Sequence, residues 1–214
     1  MSSEIDNSFI EILQQRLHAP LPGSEAQWQM AASVGGNRSF DFGFKSPPVE
    51  SSVLILLFCR DRNYYFPMIQ RPEYAGVHGG QIGLPGGKQE PEDHDRMETA
   101  LRETQEEIGV DLNDIVIIGE LSELYVRASN YNVLPVVGYI PHIPEYVPDP
   151  LEVSNVIECS LDHLLKDETV REKEMTARNG LKIKAPYFAV GHHVVWGATA
   201  MILSELKFIL KEII

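Results

Sequence analysis

Apolar positions along the chain repeat with two periods, and the switching between them predicts the order of the elements. Ile5, Phe9, Ile12, Leu13 and Leu17 recur at helical spacing among Asp, Glu and Gln, which predicts an amphipathic helix over residues 3–18. Pro20 and Pro22 end it, and residues 20–48 read as a long wrap over a domain surface. Residues 52–59, SVLILLFC, form a continuous apolar run of strand length, as expected of a central strand buried on both faces. A turn at Arg60-Asp61-Arg62-Asn63 leads back into a second strand over 64–70. After a glycine-rich loop at 71–83 comes an acidic loop, and then a helix closed by Gly109. Strands are predicted over 115–121 and 134–140, joined by a polar and aromatic link at 125–131. A rigid proline-rich loop spans 141–150, and a strand carrying Glu152 follows over 151–157. A short helix over 160–175, a strand over 181–187 and a terminal helix over 198–213 complete the chain. Strands and helices mixed in this way predict an α/β sandwich with a mixed sheet.

The helix before Gly109 is where pattern becomes chemistry. At about 100° per residue, Met97, Ala100, Leu101, Thr104 and Ile108 share one side, while Glu103, Glu106 and Glu107 spread over an arc of roughly 100° on another. Carboxylates at these spacings repel by a few tenths of a kcal/mol per pair, and no lysine is spaced to relieve them within the cluster. A solvated acidic face is the plain reading of such a helix. A hard divalent cation would convert the repulsion into binding, and oxygen-only ligands suit Mg²⁺ or Mn²⁺. Because Mg²⁺ completes its shell with water and substrate phosphates, carboxylates facing the Pro85-Gly86-Gly87 turn point to phosphate chemistry. The loop at 71–83, immediately before that turn, reads as ligand-facing.

Composition narrows the partners. The 214 residues are 43% hydrophobic, enough for one domain with a substantial core. A net charge of −13 excludes a nucleic-acid groove, which needs clustered Lys and Arg. Cys59 and Cys159 lack metal-ligand spacing and are expected as buried, reduced thiols. The opening MSSEIDNSF lacks the features of a signal peptide, and no apolar run reaches the ~20 residues of a membrane span, so a cytoplasmic protein away from membranes is expected. His192 and His193, if in a strand, face opposite ways and read as structural, and Trp196 reads as core.

Arg102, Glu103, Thr104, Gln105, Glu106, Glu107, Ile108, Gly109 and Val110 resemble the second half of the signature of the Nudix hydrolases, with only Thr104 off pattern. In the first half, five residues lead from Gly87 to Asp93, where the family has Glu, and eight rather than seven precede Arg102. Upstream, residues 71–87 are similar to the extra motif of the coenzyme A diphosphatase branch, in which a one-residue lengthening is familiar. Gly76 stands at the place of the branch's second arginine. Leu21-Pro22-Gly23-Ser24-Glu25-Ala26-Gln27 and Trp196-Gly197-Ala198-Thr199-Ala200 extend the similarity towards both ends.

The resemblance implies a Nudix-type α/β/α sandwich spanning residues 1–214, with an N-terminal helical extension to about residue 48. It implies a metal site of Glu103, Glu106, Glu107 and the Gly86 carbonyl, holding Mg²⁺ or Mn²⁺. Arg102 would pair with and orient Glu103; Glu103 is the first choice for general base, and Glu152 the alternative from a later loop. Arg71, His78 and Gln81 are the candidates for substrate contact. The implied reaction is hydrolysis of a nucleotide diphosphate, foremost coenzyme A or its derivatives, to 3′,5′-ADP and 4′-phosphopantetheine. ADP-ribose, NADH, dinucleotides and nucleoside triphosphates are the alternative substrates. A non-catalytic nucleotide sensor is the alternative role, against which the intact Arg102-Glu103 and Glu106-Glu107 argue. Dimerisation is frequent in the family, so a homodimer is also an expectation.

Overall fold

The computed structural model describes residues 8–33, 46–73, 79–176 and 182–214. Helices α1 (Ser8–Leu17) and α2 (Ser24–Gln27) precede the first hairpin, β1 (Val49–Arg60) and β2 (Asn63–Gln70). Short strands β3 (Ile82–Gly83) and β4 (Gly86–Lys88) lead to α3 (Arg96–Ile108). Then come β5 (Val116–Glu120), β6 (Leu124–Val126), β7 (Tyr131–Ile140) and β8 (Asn155–Ser160). Helix α4 (Leu161–Leu165), strands β9 (Val170–Thr176), β10 (Lys182–Val190) and β11 (His193–Trp196), and helix α5 (Gly197–Ile213) follow.

The apolar run of β1 is central, as its sequence predicts. The main sheet runs β3-β2-β1-β7-β5, with β4 on β1, β6 on β7 and β8 on β2. Among the described residues only β1 and β7 pair in parallel in this sheet, so it is mixed. Leu54, Leu56 and Phe58 of β1 point to one face and pack with Ala100 and Ile108 of α3. Ile55 and Leu57 point to the other and pack with Leu13 of α1 and Leu203, Leu206 and Leu210 of α5. All five β1 side chains are fully buried, at about 1.5–3 kcal/mol each. A second, antiparallel sheet in the order β11-β10-β9 lies on the α5 side, where Phe188 and Val195 join the same core.

The sequence similar to a branch preface, residues 21–27, is held by a buried carboxylate. Glu205 of α5, fully buried, accepts the Gly23 amide at 3.0 Å and the Gln27 side-chain amide at 2.9 Å. The Ser122 amide adds a third bond at 3.3 Å. Gly23 has φ 56, a left-handed conformation that suits glycine.

Several expectations need correction. The link at 125–131 overlaps the short strand β6 at its start and the first residue of β7 at its end. Glu152 is not on a strand: the Asp149 carbonyl accepts the amides of Glu152 (3.1 Å) and Val153 (2.8 Å), so residues 151–154 turn and the strand starts at Asn155. The stretch 160–175 is helical only to Leu165, then continues through a 3-10 turn into β9, whose exposed residues break the apolar signal that marks strands. His192 and His193 do not oppose each other across a strand. His192 sits in the tight turn after Gly191 (φ 59), and the two rings lie 3.9 Å apart. Cys159 is buried and free, and burial raises its thiol to about 12, whereas Cys59 is only half-buried. Residues 3–7 of the expected first helix and Leu181 lie outside the described residues.

Candidate active site

Helix α3 is delimited by its sequence. Asp95 caps it by accepting the Glu98 amide at 2.9 Å, and Gly109 (φ 71) closes it by donating to the Gln105 carbonyl. Thr104, off the family pattern, is fully buried but satisfied, because its hydroxyl donates to the Ala100 carbonyl at 2.7 Å. The rest of the site comes from β4. Its strand pairing with β1 is so close that a Cβ on Gly86 would lie 2.3 Å from the Ser52 carbonyl oxygen, and it sets Gly87 against Glu103 of α3.

The two glycines receive two glutamates. Glu107, 1% exposed, accepts the Gly86 amide at 2.8 Å, and Arg71 approaches its other oxygen at 3.4 Å. Burial raises the Glu107 carboxyl to about 7; the Gly86 amide and Arg71 oppose the shift, while the charges of Glu103 and Glu152 add to it. Glu103 lies over Gly87, where an added Cβ would fall 2.5 Å from its carboxylate. Its carboxyl is also raised, first by burial and then by Glu106 and Glu152.

Arg102 is the hub that sequence reasoning underestimated. Its guanidinium donates to both oxygens of buried Asp93, at 2.9 and 3.0 Å, and to the Lys88 carbonyl at 3.2 Å. It also reaches Glu103 and Glu106, each at 2.9 Å. The expected pairing with Glu103 is therefore present, and the expectation of an unrelieved acidic cluster is corrected: the relieving cation is an arginine four residues before Glu106. Asp93 further accepts the Glu90 amide and the Thr99 hydroxyl, both at 2.9 Å. The Arg102 hydrogen bond, followed by these two, holds its carboxyl far below the usual carboxylate range. Its acidic character in the loop was the signal; the guanidinium it anchors was visible only in three dimensions.

The other predicted residues separate into groups. The 141–150 loop is stitched to the end of α3, with Val147 and Asp149 donating to the carbonyls of Ile108 (2.9 Å) and Glu107 (3.0 Å). This brings Glu152 close enough for its charge to act on Glu103 and Glu107, although its side chain is exposed. Arg71 points to Glu107 and the Gly86 carbonyl. Gln81 accepts the Arg71 amide on its backbone carbonyl and lines a cleft beside β11. His78 and Gly76 lie outside the described residues.

Glu103, Glu106 and Glu107 do not converge as tightly as the helical arc suggested. Among the described residues no three His, Cys, Asp or Glu side chains form a ready cluster for a metal ion, since Glu106 bends outward to Arg102 and Glu107 inward to Gly86. The donor chemistry nevertheless fits a hard divalent cation: all oxygen, with Arg102 engaging only Oε1 of Glu103 and Oε2 of Glu106. The Cβ-free floor at Gly87 is the space that Glu103 needs.

A family profile described as the NUDIX domain matches residues 48–178. The chain is 30% identical over 164 residues to a protein of Yersinia pestis (strain Pestoides F) called an uncharacterized Nudix hydrolase NudL, covering 76% of this chain and 80% of that one. A NudL of Yersinia pseudotuberculosis (strain IP 31758) matches equally. The crystal structure of the Nudix hydrolase RenU from M. smegmatis is similar in fold, with a TM-score of 0.52 and 12% identity over 86% of this chain and 96% of that one. Profile and relatives define a hydrolase acting on pyrophosphate bonds. The chain belongs to the Nudix family, whose members act on small nucleotide substrates and generally use divalent ions such as Mg²⁺ or Mn²⁺. Among the described residues no helix is long and apolar enough to cross a membrane.

Proposed function

We propose that the protein hydrolyses the diphosphate of coenzyme A or a thioester derivative, releasing 3′,5′-ADP and a 4′-phosphopantetheine. The observation that carries this reading is the meeting of three separated segments on α5. The Ile82 carbonyl, within 71–87, accepts the Thr199 hydroxyl at 3.4 Å; the 21–27 preface hangs from Glu205; Trp196 and Gly197 open the helix itself. These are the segments similar to the coenzyme A diphosphatase branch, so the likeness falls on segments that meet along α5, and the 71–87 segment among them also brings Gly86 to Glu107.

Glu103, Glu106, Glu107 and the Gly86 carbonyl would hold Mg²⁺ or Mn²⁺, which would supply positive charge for the diphosphate oxygens and acidify the attacking water. The protein's own groups do the rest. Asp93 holds Arg102, and Arg102 holds Glu103 and Glu106 in register with the Gly86-Gly87 turn. Arg71 and the Gly86 amide fix Glu107, so we assign Arg71 first to positioning that carboxylate. Glu152, or failing it Glu103, takes the proton of the water as its oxygen attacks phosphorus. The bridging P–O bond breaks and its electron pair leaves with the second phosphate ester.

The test is a Mg²⁺ and Mn²⁺ assay against coenzyme A, acetyl coenzyme A, ADP-ribose, NADH, diadenosine polyphosphates and nucleoside triphosphates, ranked by kcat/KM. Coenzyme A or its thioester should lead. A tenfold lead for ADP-ribose or NADH, about 1.4 kcal/mol in the transition state, would replace coenzyme A as substrate.

A further inference from the structure

A cleft of about 350 Å³ opens where β3 meets the three-stranded sheet. Its walls carry Lys173 and Met175 from β9, His192 and His193 from the β10–β11 turn, Trp196 and Gln81. Among the described residues no carboxylate lines it, although the chain has 31 Asp and Glu against 18 Lys and Arg. The strand period explains the selection: Lys173 and Met175 share one face of β9, while Glu172 and Glu174 take the other, where Glu172 pairs with Lys184. Among the described residues Lys173 itself has no ion-pair partner. The His192 and His193 rings lie 3.9 Å apart, tilted by 37°, so the two imidazoles form one wall of the cleft together.

From this cleft we propose a subsite for a phosphate monoester carried by the substrate away from the scissile diphosphate, bound by Lys173 and the His192-His193 pair, with Met175 and Trp196 against the attached nucleoside. The inference rests on the diphosphatase reading above and deepens it: of the nucleotide diphosphates considered, coenzyme A carries such a group, its 3′-phosphate. The cleft adjoins the carboxylate site through one backbone hydrogen bond, since the Gln81 carbonyl accepts the amide of Arg71, whose guanidinium reaches Glu107. An acidic protein binding a polyanion gains from one cation-lined wall, because like charge elsewhere opposes entry. The volume falls within the range of ligand sites, and a charge-assisted hydrogen bond from an ammonium to phosphate is among the stronger polar contacts.

Two measurements test the subsite, one independent of turnover. In calorimetric titration of the full chain, 3′,5′-ADP should bind at least tenfold more tightly than 5′-AMP. Lys173→Met, on an exposed strand position where folding is preserved, should bring the two ligands to near parity, and the His192→Gln/His193→Gln double variant should narrow the gap. In the assay, the KM advantage of coenzyme A over dephospho-coenzyme A should collapse in Lys173→Met. Equal binding of the two nucleotides by the unaltered protein, or an unchanged preference in Lys173→Met, overturns the subsite. If neither coenzyme is hydrolysed while the binding preference and its loss are observed, the diphosphatase assignment fails and the phosphate subsite stands.

Discussion

The Gly86 amide donates to Glu107 Oε2 at 2.8 Å, and this bond ties the β4 turn to the carboxylate helix in the interior of the protein. A glutamate in that position carries opposed requirements. Burial favours its neutral form, whereas metal binding requires the charged one.

Replacing Glu107 with Gln should therefore separate activity from stability. The glutamine carbonyl still accepts the Gly86 amide, while a charged ligand is lost, so Mg²⁺-dependent turnover should fall by several kcal/mol of transition-state stabilisation. The folded pKa of about 7 lies above the ordinary carboxyl value of 4.5, so the folded state binds the extra proton. In metal-free buffer the contribution of Glu107 is fully present below about pH 4.5 and is lost as pH rises through 7, a change on the order of 3 kcal/mol. Thermal unfolding from pH 4.5 to 8 should show this decline in the unaltered protein and a smaller one in Glu107→Gln. A well-folded variant with near-normal turnover would remove Glu107 from the metal site.

Gly86 and Gly87 are adjacent, yet alanine should act on them differently. At Gly86, with φ 148, the new Cβ meets backbone of β1 at 2.3 Å, and the fold must give way. At Gly87 it meets the Glu103 carboxylate first, at 2.5 Å, the far end of a flexible side chain. Gly87→Ala should keep its melting temperature within a few degrees and lose at least tenfold in kcat, whereas Gly86→Ala should lose stability first. Equal melting temperatures for the two variants would contradict this assignment of backbone and side-chain contacts.

Asp93 stands where the family has Glu, and its shorter side chain still grips Arg102 with both oxygens. Hydrogen bonds to charged groups are worth about 1.5–3 kcal/mol, so Asp93→Ala should destabilise by roughly that amount and leave Arg102 free to collapse onto Glu103 and Glu106. The depressed folded pKa gives a stabilisation present above the unfolded value of 3.8 and lost as pH falls through the folded one. The acid limb of the stability profile should therefore be shallower in Asp93→Ala. Denaturant unfolding between pH 2 and 6 measures it.

How legible each feature was in the sequence depended on whether its cause is local. The β1 core strand follows from its apolar run, and the end of α3 from Gly109, because period and backbone freedom act within a few residues. Glu152 was misplaced on a strand because the Asp149 turn that redirects the chain uses backbone bonds that leave no apolar pattern. Strand β9 was hidden by its exposed, charged face. The Asp93–Arg102 anchor joins a loop to a helix and the Lys173 cleft joins residues distant in sequence, so spacing within one element gave no sign of either.

The general base is decided by two glutamates of opposite environment. Glu103 is largely buried, bound by Arg102 and raised in pKa, so it is well placed but constrained by its guanidinium. Glu152 is exposed on a turn fixed by Asp149, and its charge already acts on both Glu103 and Glu107. A base must exchange its proton with solvent at each turnover, which favours the exposed carboxylate. General-base catalysis contributes about 10²–10⁴-fold, so Glu152→Gln should lower kcat by that order, with the Mg²⁺ concentration for half-maximal activity little changed. Removing a negative charge beside Glu103 and Glu107 should also lower their pKa values, shifting the metal-free stability profile of the variant towards lower pH. If kcat is unchanged while that shift is observed, Glu152 is a neighbour of the site without a proton to take, and the role passes to Glu103.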